Sequence, residues 1–372
     1  MFQRILEKNI KSKFFKGKII IIAGARQTGK TTLVKSLSNN FAKNEVKFFN
    51  CDDIDDRDQL SNKNLEFLKQ LIGDAKLIII DEAQKTQNIG ETLKLLIDYY
   101  SKKNQIIVTG SSSINLLDNT QEPLTGRKFV YNLFSLSLEE IYSSNNYSKL
   151  LKEIESLLVF GSYPEVVSQN TFEDKKEILK ELASSYIYKD ILAFQQIKNP
   201  DILHKLLKAL ALQIGSEVSY NELSNLIGIS KNTVERYVDL LEKSFIIFRL
   251  SPFTKNKRKE ISKLRKIYFY DVGIRNVLIN NFNFMENRND IGFLWENFMI
   301  TERMKYRKYH KIDAEQYFWR TYEGQEIDLI EEKGSNLFGF EFKWKTTDRK
   351  KLPNIDFDNK IITKKNLKGF VF

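Results

Sequence analysis

The chain has 372 residues, 42% hydrophobic and 29% charged, the composition of a soluble globular protein and not of a disordered or membrane-spanning one. Its 59 Lys and Arg against 48 Asp and Glu leave a net charge of +11, which favours polyanionic partners, nucleic acid above all. Cys51 is the single cysteine, so there is no disulfide framework and no zinc-ligand cluster. A reducing compartment, the cytoplasm, fits best. No apolar run is long enough to cross a bilayer, and the N-terminus carries no secretion signal.

The first predicted strand runs from Lys18 to Ala23, a β-branched segment suited to a buried parallel position. It leads into Gly24-Ala-Arg-Gln-Thr-Gly-Lys30-Thr31, which fits G-x-x-x-x-G-K-[ST], and then into helical spacing at Leu33, Val34 and Leu37. Strand, glycine loop and helix in this order are the context a P-loop requires. The backbone N–H groups and the helix N-terminus attract phosphate, Lys30 reaches the β- and γ-phosphates, and the Thr31 hydroxyl ligates Mg²⁺. Gly24, Gln27, Thr28, Gly29, Lys30, Thr31 and Thr32 are therefore the candidate nucleotide-binding residues, with ATP and Mg²⁺ as the expected cofactors. A second buried strand, "KLIIIDEAQ", ends in Asp81 and Glu82. Asp81 is expected to hold the Mg²⁺ shell, and Glu82 to orient or deprotonate the attacking water. A third, "QIIVTGSSS", ends in Thr109, Ser111 and Ser112, where a hydroxyl could sense the γ-phosphate or serve an ordinary turn. Arg127, in "PLTGRKFV", is a candidate for stabilising transition-state charge, in its own subunit or a neighbouring one; a plain surface arginine is the alternative.

The sequence from about 172 to 214 reads as helical. In "SYNELSNLIGISKNTVERYVDLLEK", Ser219 and Glu222 form a capping box for a helix whose apolar face includes Leu223, Leu226 and Ile227. Gly228-Ile229 turns the chain into a second helix, with Val234, Tyr237, Val238 and Leu241 on one side. Two helices about a glycine turn, followed by strands, predict a winged helix-turn-helix. On the second helix Lys231, Arg236 and Lys243 are offset by Glu235, Asp239 and Glu242. The wing, "SPFTKNKRKEISKLR", is strongly basic, and Lys255, Lys257, Arg258 and Lys259 are the candidate DNA contacts, to phosphate and not to base edges. A winged helix used for protein contact or as a nucleotide lid stays open.

From about 285 an amphipathic helix is expected to bury Phe293, Leu294, Phe298 and Met299, with Glu296 near its start. Aromatic-rich strands follow, including the hairpin "GQEIDLIEEKGSNLFGFEFKWK". Period-two alternation puts Glu341 and Lys343 on one face, with Asp328 on the neighbouring strand. These carboxylates are either solvated outer charges or a Mg²⁺ site of Glu296, Asp328 and Glu341, with Lys343 stabilising charge, as in the PD-(D/E)xK nuclease core.

Taken with "GSYPEVV", "KIYFYDVGIRN" and "LWENFMITE", these motifs resemble the bacterial and archaeal AAA-type ATPases that carry an appended restriction-nuclease-like C-terminal domain of unknown function. The resemblance implies nucleotide and Mg²⁺ roles for Lys30, Thr31, Asp81 and Glu82, and a nuclease-like signature for Asp328, Glu341 and Lys343. The expected architecture is α/β throughout: a P-loop NTPase with a parallel sheet flanked by helices (1–165), a helical linker and winged helix-turn-helix (166–284), and a small α/β restriction-endonuclease-like domain (285–372). DNA, a partner protein or a second copy of the chain are the expected partners.

Overall fold

The structure is a computed structural model. It describes residues 2–111, 124–142, 147–192 (backbone only from 185), 199–254, 264–321, 323–345 and 358–372. The chain forms two compact units, Met1–Phe134 with Lys243–Phe245, and Ser135–Glu242 with Ile246–Phe372.

The first unit contains strands β1 (Ile19–Ala23), β2 (Val46–Asn50), β3 (Leu77–Asp81), β4 (Gln105–Gly110) and β5 (Lys128–Asn132). They form one sheet in the order β2-β3-β4-β1-β5, every pairing parallel. Its helices are α1 (Ile5–Lys11), α2 (Lys30–Ser38), α3 (Ile54–Leu60), α4 (Leu65–Ile72) and α5 (Ile89–Tyr100). The near-continuous Ile runs of β1 and β3 reflect a sheet covered on both faces. Ile19, Ile21, Ile78, Ile80, Ile106 and Val108 pack with Leu68 of α4 and Leu93 and Leu96 of α5. Alternation sends Ile20, Ile22, Ile79 and Ile107, all fully buried, to the other face. Because β4 lies between β1 and β3, the ends of β1, β4 and β3 stand side by side, and so do the residues that follow them.

The second unit contains helices α6 (Leu138–Ile141), α7 (Tyr147–Phe160), α8 (Pro164–Val167), α9 (Phe172–Leu192), α10 (Pro200–Leu212), α11 (Tyr220–Ile227), α12 (Lys231–Lys243), α13 (Val272–Leu278), α14 (Ile291–His310) and α15 (Lys368–Val371). Its strands are β6 (Glu217–Val218), β7 (Ile247–Pro252), β8 (Arg265–Phe269), β9 (Glu315–Arg320), β10 (Glu326–Lys333), β11 (Asn336–Phe342) and β12 (Asp358–Ile362), in one sheet ordered β12-β11-β10-β9-β7-β8-β6. This differs from the expected division at 165 and 284. Residues 138–167 belong to the second unit, where Asn276 of α13 donates to the Leu158 and Val159 carbonyls at the end of α7. The sheet also runs unbroken across 284, because β7 pairs parallel with β9 at Ser251–Tyr317 and Pro252–Phe318.

Local chemistry explains the helix ends. Ser219 accepts the Glu222 N–H, but the Glu222 carboxylate accepts from Gln213 instead of closing the expected capping box. Gly228 ends α11 in the left-handed conformation that favours glycine. Two expected core residues lie outside: Leu226 is 68% and Phe293 47% exposed. In each case the neighbouring Leu223 or Leu294 takes the buried position, so the apolar stripe is narrower than the sequence pattern suggests.

Candidate functional site

The loop from Gly24 to Gly29 joins β1 to α2, and its shape follows from backbone constraints. A Cβ on Gly24 would lie 2.2 Å from the Leu133 carbonyl oxygen, so this position admits only glycine. Gln27 and Gly29 have φ of 55° and 94°. The Thr28 hydroxyl donates to the Ala25 carbonyl at 2.9 Å, closing the loop on itself. α2 starts at Lys30 with no side-chain cap, so its first N–H groups face the loop's concave side together with the positive end of the helix dipole. Lys30 is buried, and its ammonium donates to the Gly24 and Ala25 carbonyls at 3.0 and 2.8 Å. The side chains of Gln27 and Thr32 are exposed.

Asp81, at the end of β3, is the hub of the adjoining cluster. It accepts from the Thr31 hydroxyl at 2.6 Å through Oδ2 and from the Thr109 hydroxyl through Oδ1. Glu82 follows in the left-handed region (φ 53°, ψ 37°), held there because its N–H donates to Thr109 Oγ1 at 3.1 Å. Its carboxylate comes within 4.0 Å of the Lys30 ammonium and accepts from Gln84 Nε2 at 2.6 Å, while the same Gln84 nitrogen donates to Ser111 Oγ at 3.0 Å. Thus Lys30, Thr31, Asp81, Glu82, Thr109 and Ser111 converge. The joined Thr31 and Asp81 oxygens suit a hard cation such as Mg²⁺. Ser112 lies outside the described residues.

Two residues of this site were not anticipated. Gln84 positions Glu82, and its signal is its place in "DEAQ". Arg4, just ahead of α1, is buried and donates to the Thr28 carbonyl at 2.6 Å and the Phe134 carbonyl at 2.7 Å, bracing the loop from below. Nothing in the N-terminal sequence announces it.

Arg127 lies at the opposite end of β1 from the phosphate loop. It precedes β5, and its carbonyl accepts the Ile19 N–H at the start of β1, while the phosphate loop follows the end of β1. Five β1 residues separate them, roughly 16 Å at strand rise. Its guanidinium also donates to Asp98 at 2.7 Å and is 43% exposed.

In the second unit, the structure brings Glu296, Asp328, Glu341 and Lys343 to one cavity of about 640 Å³. Asn297 sets Glu296 in place. Its side-chain amide accepts the Phe269 N–H and donates to the Phe269 carbonyl, each at 2.8 Å, pinning α14 along β8 as a strand would. Asp328 sits where the β9–β10 register shifts between Ile327 and Ile330, a bulge that turns its carboxylate to accept the Phe342 N–H at 2.8 Å. Glu341 accepts from Lys343 Nζ at 2.7 Å. Burial, with the charges of Glu296 and Glu341, pushes the Asp328 pKa well above the ordinary carboxylate range. Burial also raises Glu296, against the pull of Lys266 and Tyr268.

Lys266 and Tyr268 of β8 were not anticipated. Both reach Glu296 Oε1, at 3.0 and 2.6 Å. Glu296, Asp328 and Glu341, the expected Mg²⁺ ligands, share this cavity, where Glu296 pairs with Lys266 and Glu341 with Lys343. Among the described residues no group of three or more His, Cys, Asp or Glu is arranged to hold a metal. Lys266 and Lys343 offset the charge of Glu296 and Glu341, while Asp328 accepts the Phe342 N–H. Lys255, Lys257, Arg258 and Lys259 lie outside the described residues.

Residues 16–142 match the family described as an AAA domain. The match supports an AAA-type ATPase domain. Residues 151–284 and 291–371 match two domains of unknown function, DUF8612 and DUF4143. Similar proteins include an uncharacterised protein of Mycobacterium tuberculosis (25% identical, 88% of this chain, 71% of that one) and one of Methanocaldococcus jannaschii (26%, 88%, 75%). One of Haemophilus influenzae is 23% identical over 86% of this chain and 80% of its own. Among solved structures, Drosophila ORC bound to AT-rich DNA and Cdc6 aligns over 74% of this chain and 91% of that chain, at 12% identity. A Thermotoga maritima DNA polymerase III gamma subunit-related protein aligns over 64% and 98%, also at 12%. Both TM-scores are 0.25, too low to carry an argument. No helix among the described residues is long and apolar enough to cross a membrane.

Proposed function

We propose that the chain is a cytoplasmic Mg-ATP-dependent ATPase switch that acts on DNA, as a homo-oligomer or with a partner protein. The observation that carries the ATPase reading is the convergence of Lys30, Thr31, Asp81 and Glu82 around one loop, with Thr109 joining Asp81 to the Glu82 backbone. Lys30 and the α2 N-terminus bind the nucleotide phosphates. Thr31 and Asp81 would hold the Mg²⁺, which would neutralise phosphate charge. Glu82 orients the attacking water and takes its proton, and the Gln84 amide keeps the Glu82 carboxylate aimed. Arg127, if it stabilises charge on transferring phosphate, does so at a neighbouring subunit's site.

The DNA-facing element is a winged helix-turn-helix formed by α10, β6, α11, α12 and the β7–β8 hairpin. Asp239 and Glu242 of α12 are both engaged by Arg249 of β7, at 2.6 and 2.7 Å. With Asp239 and Glu242 paired to Arg249, the remaining charges of α12, Lys231, Arg236 and Lys243 against Glu235, lean positive, which supports phosphate contact alongside Lys255, Lys257, Arg258 and Lys259. The C-terminal part is a nuclease-like PD-(D/E)xK fold that binds DNA or protein without cutting, a reading favoured by the lysine-engaged carboxylates over metal-dependent cleavage. ATP hydrolysis and DNA cleavage measured together, with Mg²⁺ or Mn²⁺ and several DNA forms, test both halves. The expected result is hydrolysis that DNA modulates, with no cleavage. Cleavage abolished by Asp328→Ala and Glu341→Ala would restore the nuclease reading.

A further inference from the structure

Lys266 of β8 is 2% exposed and reaches two carboxylates that line the C-terminal cavity. Its ammonium bridges Glu296 Oε1 at 3.0 Å and Glu326 Oε1 at 2.5 Å. The Phe318 ring lies 5.4 Å from the ammonium. Burial works against the charge, but Glu296, Glu326 and Asp328 outweigh it, and the lysine pKa is raised. A second ammonium, Lys343, binds Glu341 from the other side. Four carboxylates and two lysines thus meet in one space, and a buried charge of one sign without a partner costs several kcal/mol.

A divalent cation and an ammonium are alternative answers to that cost. Both need carboxylate oxygens, and Glu296 Oε1 already receives both Lys266 and the Tyr268 hydroxyl. We infer that Lys266 is the resident cation at the edge of this cavity: its ammonium holds Glu296 Oε1, one of the oxygens that Mg²⁺ or Mn²⁺ would need, and so weakens divalent binding by Glu296, Asp328 and Glu341. The arrangement also ties the strand that follows the wing to α14 and β10 through one buried residue. The inference rests on reading the C-terminal part as a nuclease-like fold that does not cut.

The test is Mn²⁺ binding by the full chain without nucleotide, followed by electron paramagnetic resonance. All proteins carry Asp81→Asn, to remove metal held near the phosphate loop. With Lys266 present, no Mn²⁺ site is expected at millimolar metal. Lys266→Gln, and Lys266→Met beside it, should acquire one site at least ~tenfold tighter, and adding Asp328→Asn should remove it. Equal Mn²⁺ binding with and without Lys266 would overturn the inference while leaving the absence of cleavage untouched. If neither variant folds, the natural chain still decides. Acetylation of Lys266 by a small reagent, read by mass spectrometry, should stay low and unchanged by millimolar Mn²⁺. Labelling of Lys266 that rises with Mn²⁺ would mean the metal displaces the lysine, and would overturn it.

Discussion

Replacing Arg4 with methionine tests whether the phosphate loop is held from below. Arg4 is 7% exposed and donates to the Thr28 carbonyl at 2.6 Å and the Phe134 carbonyl at 2.7 Å. A hydrogen bond from a charged donor contributes about 1.5–3 kcal/mol, so the two together set an upper bound of about 3–6 kcal/mol. Methionine keeps much of the volume, and water can reach part of the gap, so a loss of about 3 kcal/mol in the stability of the first unit is expected. The Thr28 bond acts on the loop itself. If about 2 kcal/mol of bias toward the phosphate-binding conformation is lost, the competent fraction falls by up to ~30-fold and the apparent Kd for Mg-ATP rises by that factor. Titration with a fluorescent ATP analogue, alongside denaturant unfolding, reads both quantities. Arg4→Lys, with one compact charge in place of a two-pronged donor, should recover only part of the affinity. Unchanged affinity and unchanged stability in Arg4→Met would refute the bracing role.

Gly24→Ala should weaken nucleotide binding by more than ~tenfold, since its Cβ meets a Leu133 carbonyl fixed by the Leu133 N–H bond to Ala23 and overpacking costs about 1–3 kcal/mol; normal binding would show that the loop can shift. Asp328 has a raised folded pKa, so the folded state holds its proton longer than the unfolded chain and stability falls as pH rises above the ordinary aspartate pKa. Asp328→Asn should therefore stabilise the second unit at neutral pH, with the gain fading as pH falls toward about 4, where an ordinary aspartate takes up its proton; a gain that does not depend on pH would show that ionisation is not its source. Replacing Lys255, Lys257, Arg258 and Lys259 together with Gln should flatten the dependence of log K for DNA on log salt, by about 0.9 for each phosphate no longer neutralised; an unchanged slope moves the binding surface elsewhere.

What could be read from the sequence depended on how local the cause was. The β1–loop–α2 order was legible because glycine spacing, a lysine and a β-branched run are contiguous. The parallel sheet followed from strands apolar on both faces, as at β3 and β4. The union of β7 with β9 was not legible, since their pairing joins Ser251 to Tyr317 across intervening helices. The pairing of Asp239 and Glu242 of α12 with Arg249 of β7 was hidden for the same reason, since a helical wheel shows only neighbours on the helix. In the C-terminal cavity, Asp328, Glu341 and Lys343 were visible as a spaced motif. Lys266 was not, because a lysine opening a strand beside a basic wing looks like one more surface charge. Its meaning comes only from Glu296 and Glu326, which reach it from other elements.

The central claim is that Lys30 meets phosphate while Glu82 acts on water, and one paired measurement tests it: equilibrium ATP binding and single-turnover hydrolysis for Lys30→Ala and Glu82→Gln with Mg²⁺. Lys30→Ala should lose nucleotide binding and with it hydrolysis. Glu82→Gln should bind ATP with near-normal affinity and hydrolyse it at least ~100-fold more slowly, since only water activation is removed. Equal loss of binding in both variants, or hydrolysis by Glu82→Gln at the unmodified rate, would contradict the account.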